Sequence, residues 1–128
     1  MSWRWISKEA LLLLHNESLA EHGGRTGLRD AALLESALNR PVNLLTCGEP
    51  DFADLAASYA VGLAKNHAYV DGNKRVAFLA VGLFLYLNGY RLKATQASAT
   101  LAVLAVAAGD MGEDEFAAWL RAHARAQS

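Results

Sequence analysis

The segment VAFLAVGLFLYL at residues 76–87 carries no charged side chain and is apolar on every side of a helix. One helical face carries Val76, Ala80, Leu83 and Leu87, and the opposite face carries Ala77, Phe78, Val81 and Leu85. A helix of this kind has to be surrounded by other elements. It is also too short to span a membrane, which takes about 20 apolar residues. The sequence therefore predicts a buried central helix within a helical bundle.

Cap and turn signals divide the rest of the chain into further helices. Ser7 is expected to begin a helix that stops near Gly23, and Asp30 a second one that Pro41 ends. The stretch between Pro41 and Pro50 is expected to be a loop. The remaining helices are predicted from Asp51 or Asp54 to Asn66, over residues 97–108 and over residues 113–126, with a short extended link at residues 90–93. We predict an all-α fold of about six helices in a single domain, residues 1–128.

Composition excludes several functional classes. Twelve Lys and Arg against thirteen Asp and Glu give a formal net charge of −1, which argues against nucleic-acid binding by the whole domain. The only cysteine, Cys47, cannot form an internal disulfide. The first residues, MSWRWISKEA, lack the apolar run of an export signal. We therefore expect a cytoplasmic protein with no membrane association.

Polar side chains are concentrated in HAYVDGNKR, residues 67–75, directly before the apolar helix. A helix beginning near Asn73 presents free backbone N–H groups and the positive end of its dipole. Gly72 allows the backbone to approach a ligand closely. Lys74 and Arg75 stand at the end of the helix where cations are unfavourable. This arrangement predicts a site for a polyanion, although an ordinary solvated helix end is the alternative interpretation.

The remaining polar residues of the segment suggest phosphate chemistry. Asp71 is its one carboxylate, and Mg²⁺ prefers one or two carboxylates together with phosphate oxygens. An imidazole such as that of His67 can take a proton from an attacking hydroxyl near neutral pH. Lys65 either reaches the same pocket or only complements the end of the preceding helix. His15, His22 and His123 have no polar neighbours in sequence and are expected to be surface or partly hydrogen-bonded residues.

HAYVDGNKR resembles the signature of the Fic/Doc superfamily, His-Pro-Phe-x-x-Gly-Asn-(Gly or Lys)-Arg with an acid before the glycine. Lys74, where Fic transferases have glycine, and the flanking segments RPVNLLTCGEPD and AFLAVGLFLYLNGY resemble the Doc (death-on-curing) branch. The similarity runs from the first helix to about Gly89. Ala68 and Tyr69 replace the commoner Pro-Phe, with Tyr69 expected to fill the core, and Val76 stands where threonine is frequent.

The resemblance implies a role for each residue of the motif. His67 would be the general base, Asp71 the acid associated with Mg²⁺, Gly72 and Asn73 the anion-binding segment, and Lys74 and Arg75 the phosphate ligands. Doc-type proteins transfer the γ-phosphate of ATP to a threonine of elongation factor Tu and thereby arrest translation. The side chain of Lys74 would fill the space in which Fic enzymes place the α- and β-phosphates. This favours transfer of the γ-phosphate over transfer of AMP.

The resemblance also implies a partner. The chain lacks the Ser/Thr-x-x-x-Glu pattern by which many Fic proteins inhibit themselves. Inhibition is therefore expected from a separate antitoxin, Phd-like or another small DNA-binding protein, whose tail folds into the active-site groove. Two alternatives remain open: an AMP-transferase of the Fic type acting on a protein hydroxyl, and a catalytically inactive module that only binds an antitoxin.

Overall fold

A computed structural model describes residues 2–127, which form six helices and two short strands. The elements in chain order are α1 (Lys8–His22), α2 (Ala31–Leu44), α3 (Phe52–Asn66), α4 (Asn73–Leu87), β1 (Tyr90–Leu92), α5 (Gln96–Ala108), α6 (Glu113–His123) and β2 (Ala124–Ala126). This confirms the predicted all-α fold. No helix among residues 2–127 combines the length and the hydropathy that a transmembrane segment requires.

Side-chain caps begin the helices where the sequence predicts them. Ser7 accepts a hydrogen bond from the Ala10 N–H, and Asp30 accepts one from the Leu33 N–H. Before α3, Asp51 forms a reciprocal capping box with Asp54. Each cap satisfies an N–H group that has no partner inside its helix, so these boundaries follow from local sequence alone.

The most buried helix is α3 rather than α4. Ten of the fifteen residues of α3 are buried, against seven of fifteen in α4. α3 packs against α2, α4, α5 and α6, whereas α4 contacts α1, α3 and α5. Gly62 allows this close approach to α2, because a Cβ added there would lie 3.2 Å from the Cα of Ala37. The small residues of α3, rather than the higher hydropathy of α4, decide which helix lies at the centre of the bundle.

The prediction that Pro41 ends α2 is wrong. Pro41 lies inside the helix, which continues to Leu44 and is followed by a turn. A proline removes one helical hydrogen bond and crowds the preceding turn. Here Pro41 is buried, and burial of its apolar ring favours the helical position despite the lost bond. The expected loop is therefore shorter, and Cys47 within it is exposed.

A two-stranded ribbon joins the link after α4 to the end of the chain. β1 pairs antiparallel with β2, with Leu92 opposite Ala124. The predicted extended link at residues 90–93 is correct, but the predicted helix over residues 113–126 ends at His123. Ala124 adopts an extended conformation because its strand completes its hydrogen bonds on β1, a partner more than thirty residues earlier in the chain.

Aromatic side chains attach the N-terminal segment to the bundle. Trp3 and Trp5 each lie 6.1 Å, centroid to centroid, from the ring of Phe84 in α4. The Tyr59 hydroxyl of α3 accepts a hydrogen bond from the Ile6 N–H. The segment before α1 is thus fixed to both buried helices, and α1 is held beside the start of α4.

Candidate active site

The nonapeptide His67–Arg75 forms the turn between α3 and α4. His67 caps the end of α3 in the left-handed conformation, with φ 53° and ψ 46°. Gly72 precedes α4 with φ 78°, and a Cβ added there would lie 3.4 Å from Nε2 of His15. The contact distance is an ordinary one, so it is the left-handed backbone conformation that favours glycine at position 72.

The turn forms one wall of a cleft with a volume of about 670 Å³. Six residues that the sequence predicts as functional line it: His67, Asp71, Gly72, Asn73, Lys74 and Arg75. The side chains of His67, Asp71, Lys74 and Arg75 are exposed. Lys65 is also exposed, in the last turn of α3, but it is not among the lining residues, so its role in phosphate binding stays a prediction.

Two other helices complete the cleft, and the sequence analysis assigned them no role in the site. α1 contributes Leu14, Glu17, Ser18, Glu21 and His22, and α5 contributes Gln96, Thr100, Val103 and Leu104. The wall formed by α1 is therefore acidic, while the start of α4 is basic. Only the folded chain brings these segments together, because α1 and α5 lie far from the motif in sequence.

The start of α4 has the features of an anion-binding site. No side chain caps this helix end, and its first turn contains no acid. The Val76 N–H is the first to bond back, to the Gly72 carbonyl at 2.9 Å. The N–H groups of the first turn are thus available to a ligand, together with the charges of Lys74 and Arg75. Val76 is fully buried, so a threonine hydroxyl at this position would face the core.

The Asn73 side chain holds the turn closed. Its carbonyl oxygen accepts a hydrogen bond from the Tyr69 N–H, and its amide donates to the Tyr69 carbonyl, both at 3.0 Å. Asn73 is buried, and Tyr69 is 2% exposed, which confirms that the tyrosine ring fills the core. What Asn73 offers to an anion is therefore its backbone N–H rather than its side chain.

The Asp71 carboxylate is held by backbone groups from both sides. The Arg25 N–H donates to it at 3.2 Å and the Gly72 N–H at 2.9 Å, and these bonds lower the pKa of Asp71 below its usual value. Gly24 allows the first contact, because a Cβ at that position would lie 3.1 Å from a carboxylate oxygen of Asp71. The carboxylate is thus ionised at neutral pH while it faces the cleft.

His15 supports the turn from the core, a contact that the sequence did not predict. It is 2% exposed, its ring stacks on Tyr69 with 3.7 Å between centroids, and its Nε2 donates to the Asp71 carbonyl at 2.7 Å. Its partner lies 56 residues away, so no local pattern could have identified the contact. The sequence led us to expect a surface residue or a partly hydrogen-bonded one; His15 is hydrogen-bonded but does not lie on the surface.

A second missed contact fixes the other end of the turn. The segment Gly27–Asp30 lies alongside residues 67–70, with an antiparallel bridge between Leu28 and Tyr69. The Ala68 carbonyl accepts hydrogen bonds from the N–H groups of Arg29 at 2.7 Å and Asp30 at 3.0 Å. The Arg29 side chain donates to the carbonyls of Asn66 and His67. The loop before α2 therefore fixes the backbone around His67.

Comparisons with known proteins agree with this geometry. The model of the Fic/DOC family matches residues 5–85, which include the whole turn and the part of the cleft formed by α1 and α4. A protein named Toxin Doc, from Mycolicibacterium smegmatis, is 43% identical over 74 residues, which cover 56% of this chain and 57% of that protein. A protein named Protein kinase doc, from Escherichia phage P1, is 33% identical over 119 residues, or 92% of this chain and 94% of that protein. The extent of the family match and of the second relative shows that the chain belongs to the Fic/DOC family.

Proposed function

We propose that this protein is the toxin of a toxin–antitoxin pair and acts as a protein kinase that uses ATP. The observation that carries the proposal is that the exposed His67 imidazole lines the same cleft as the uncapped, basic start of α4. The names of the two relatives, Toxin Doc and Protein kinase doc, support it.

The proposed reaction moves the γ-phosphoryl group of ATP to a Thr or Ser hydroxyl. The hydroxyl oxygen attacks the γ-phosphorus, and its proton passes to His67. The bond from that phosphorus to the bridging oxygen breaks, and ADP leaves. Phosphoryl transfer depends mainly on positioning and on charge stabilisation. Lys74, Arg75 and the first N–H groups of α4 supply both.

Asp71 suits a magnesium ion bound together with ATP. Its carboxylate is ionised and lines the cleft, and each oxygen accepts one backbone hydrogen bond, which leaves room for a metal. Among residues 2–127 no group of three or more His, Cys, Asp and Glu side chains could hold a metal. The phosphates would therefore provide further ligands, as Mg²⁺ prefers. When bound, Mg²⁺ would offset the charge on the transferring phosphoryl group.

The proposed target is elongation factor Tu, as the resemblance to the Doc branch implies. The proposed inhibitor is an antitoxin whose tail occupies the cleft between α1 and α5. Leu14 from α1 and Val103 and Leu104 from α5 add apolar surface to this cleft, which suits a peptide that folds as it binds.

Incubation of elongation factor Tu with this protein and Mg-ATP, followed by intact-mass spectrometry, tests the proposal. We expect a phosphoryl adduct, and we expect His67→Ala to lower the rate by about 10²–10⁴-fold, the usual contribution of a general base. His123→Asn is the matched control, since His123 lies at the end of α6, away from the cleft.

Three results would contradict the proposed kinase activity. An adenylyl adduct would identify an AMP-transferase instead. No adduct at all, with growth arrest that persists in His67→Ala, would identify a module that only binds its partner. Equal loss of transfer in His67→Ala and His123→Asn would show that the effect of the first variant is not specific to the cleft.

A further inference from the structure

We propose that Arg29 is a positioning residue that fixes the orientation of His67. The proposal rests on the proposed function, in which His67 is the base. Arg29 Nε donates to the His67 carbonyl at 2.7 Å, and a terminal guanidinium nitrogen donates to the Asn66 carbonyl at 3.4 Å. A single side chain thus binds the last carbonyl group of α3 and the carbonyl group of the C-cap residue that follows it.

His67 needs such support because its backbone conformation is unfavourable. Among residues 2–127 it is the only residue other than glycine with a positive φ, at 53°. A side chain with a Cβ is disfavoured in this region, and such residues persist only where their surroundings hold them. The backbone conformation at position 67 also sets the direction of the Cα–Cβ bond, so a change in φ would move the imidazole relative to the rest of the turn.

The imidazole itself has little to hold it. His67 is exposed, and its ring makes no hydrogen bond or aromatic stack with another residue in the range 2–127. Its position therefore depends on its backbone. The His67 carbonyl accepts a hydrogen bond from the Arg29 guanidinium, and the next carbonyl, that of Ala68, accepts hydrogen bonds from the N–H groups of Arg29 and Asp30.

Arg29 acts from outside the cleft. It is exposed and is not among the residues that line the cavity. Loss of its side chain therefore removes no contact of the cleft wall with a nucleotide. A displacement of the base by about 1 Å can lower the rate by about 100-fold. The role thus predicts a change in kcat with little change in the KM for Mg-ATP.

The test compares Arg29→Met and Arg29→Gln with a control, Arg91→Met. The Arg91 side chain is exposed on β1 and makes no hydrogen bond within residues 2–127. For both Arg29 variants we expect kcat to fall by about tenfold or more, with the KM for Mg-ATP within about threefold of the original value. Arg29→Lys, which keeps one donor, should recover part of kcat. Arg91→Met should leave both constants unchanged.

A second readout needs no substrate. The HN–Hα coupling and the backbone chemical shifts of His67, measured by NMR, report its φ. We expect them to leave the αL range in both variants. If Arg29→Met does not fold, Arg29→Gln carries the test.

The outcomes separate this role from a purely structural one. Unchanged NMR values for His67, or a lower melting temperature with an unchanged kcat, would overturn the positioning role. No phosphoryl transfer by the unmodified protein would overturn the proposed function instead, and the NMR comparison would still report whether Arg29 fixes His67.

Discussion

The Tyr69 side chain has a hydroxyl group that the fold leaves without a partner. Its ring is buried and stacks on His15 at 3.7 Å, while its oxygen has no hydrogen bond within the described residues 2–127. Burial raises the pKa of Tyr69 to about 12. The buried ring therefore stabilises the folded protein, whereas the unpaired hydroxyl group lowers its stability.

Removal of this hydroxyl should stabilise the protein. A buried polar group without a partner costs about 1–3 kcal/mol, so Tyr69→Phe should raise the free energy of unfolding at pH 7 by about 1 kcal/mol. Because the folded pKa of about 12 exceeds the ordinary value of 10.0, the contribution of Tyr69 to stability is constant below pH 10 and is lost as the pH rises towards 12. The difference between the two proteins should therefore widen above pH 10.

Urea unfolding at pH 7 and pH 11 measures both effects. Tyr86→Phe is the matched control, because Tyr86 is 67% exposed and should change neither value. A less stable Tyr69→Phe protein at pH 7 would show that its hydroxyl has a partner after all.

Single residues also show where the sequence stops being informative. The sequence could predict that His67, Asp71, Gly72, Lys74 and Arg75 lie together because they fall within nine residues. Lys74 and Arg75 stand out because their charges oppose the helix dipole. The contacts that hold these residues could not be predicted. His15 and Arg29 reach the turn from 56 and 38 residues away, and their local sequences resemble those of ordinary helix and loop residues.

At the level of helices, glycine has opposite roles in α3 and α4. Gly62 of α3 lies where a Cβ would come within 3.2 Å of both the Cα and the Cβ of Ala37. Gly82 of α4 is exposed, and a Cβ there would meet nothing within 4 Å. The first glycine sets the distance between α2 and α3, and the second only weakens its helix.

The two positions make a matched pair of alanine substitutions. Gly82→Ala should stabilise the protein by about 0.5–1 kcal/mol, the usual difference between glycine and alanine inside a helix. Gly62→Ala should lose this gain, because α2 would have to move to make room. Thermal and urea unfolding measure both variants. Equal stabilisation by the two substitutions would contradict the close contact between α2 and α3.

The starts of the helices could be predicted from the sequence, whereas the ends of α2 and α6 could not. Ser7, Asp30 and Asp51 act on N–H groups within their own first turns, so their effect is visible in local sequence. The continuation of α2 past Pro41 and the end of α6 at His123 depend on burial and on pairing with β1. These interactions exist only in the folded chain.

In the molecule as a whole, packing places α1 and α5 beside the turn that carries the basic helix start, the ionised carboxylate and the exposed imidazole. α3 holds the bundle together through its small residues, and α1 and α5 form the cleft walls opposite the turn. The fold class was predictable because the periodicity and caps of the helices are local. The shape of the cleft was not, because it depends on how α1, α4 and α5 pack.

The central claim is that nucleotide phosphates bind at the start of α4. A calorimetric titration with Mg-ATP tests it most directly, because binding is measured apart from transfer. We expect the unmodified protein and Arg91→Met to bind Mg-ATP. In Arg75→Met the dissociation constant should rise by about tenfold or more, because a charge-assisted hydrogen bond contributes about 1.5–3 kcal/mol. No heat from the unmodified protein, or equal affinity in Arg75→Met, would contradict it.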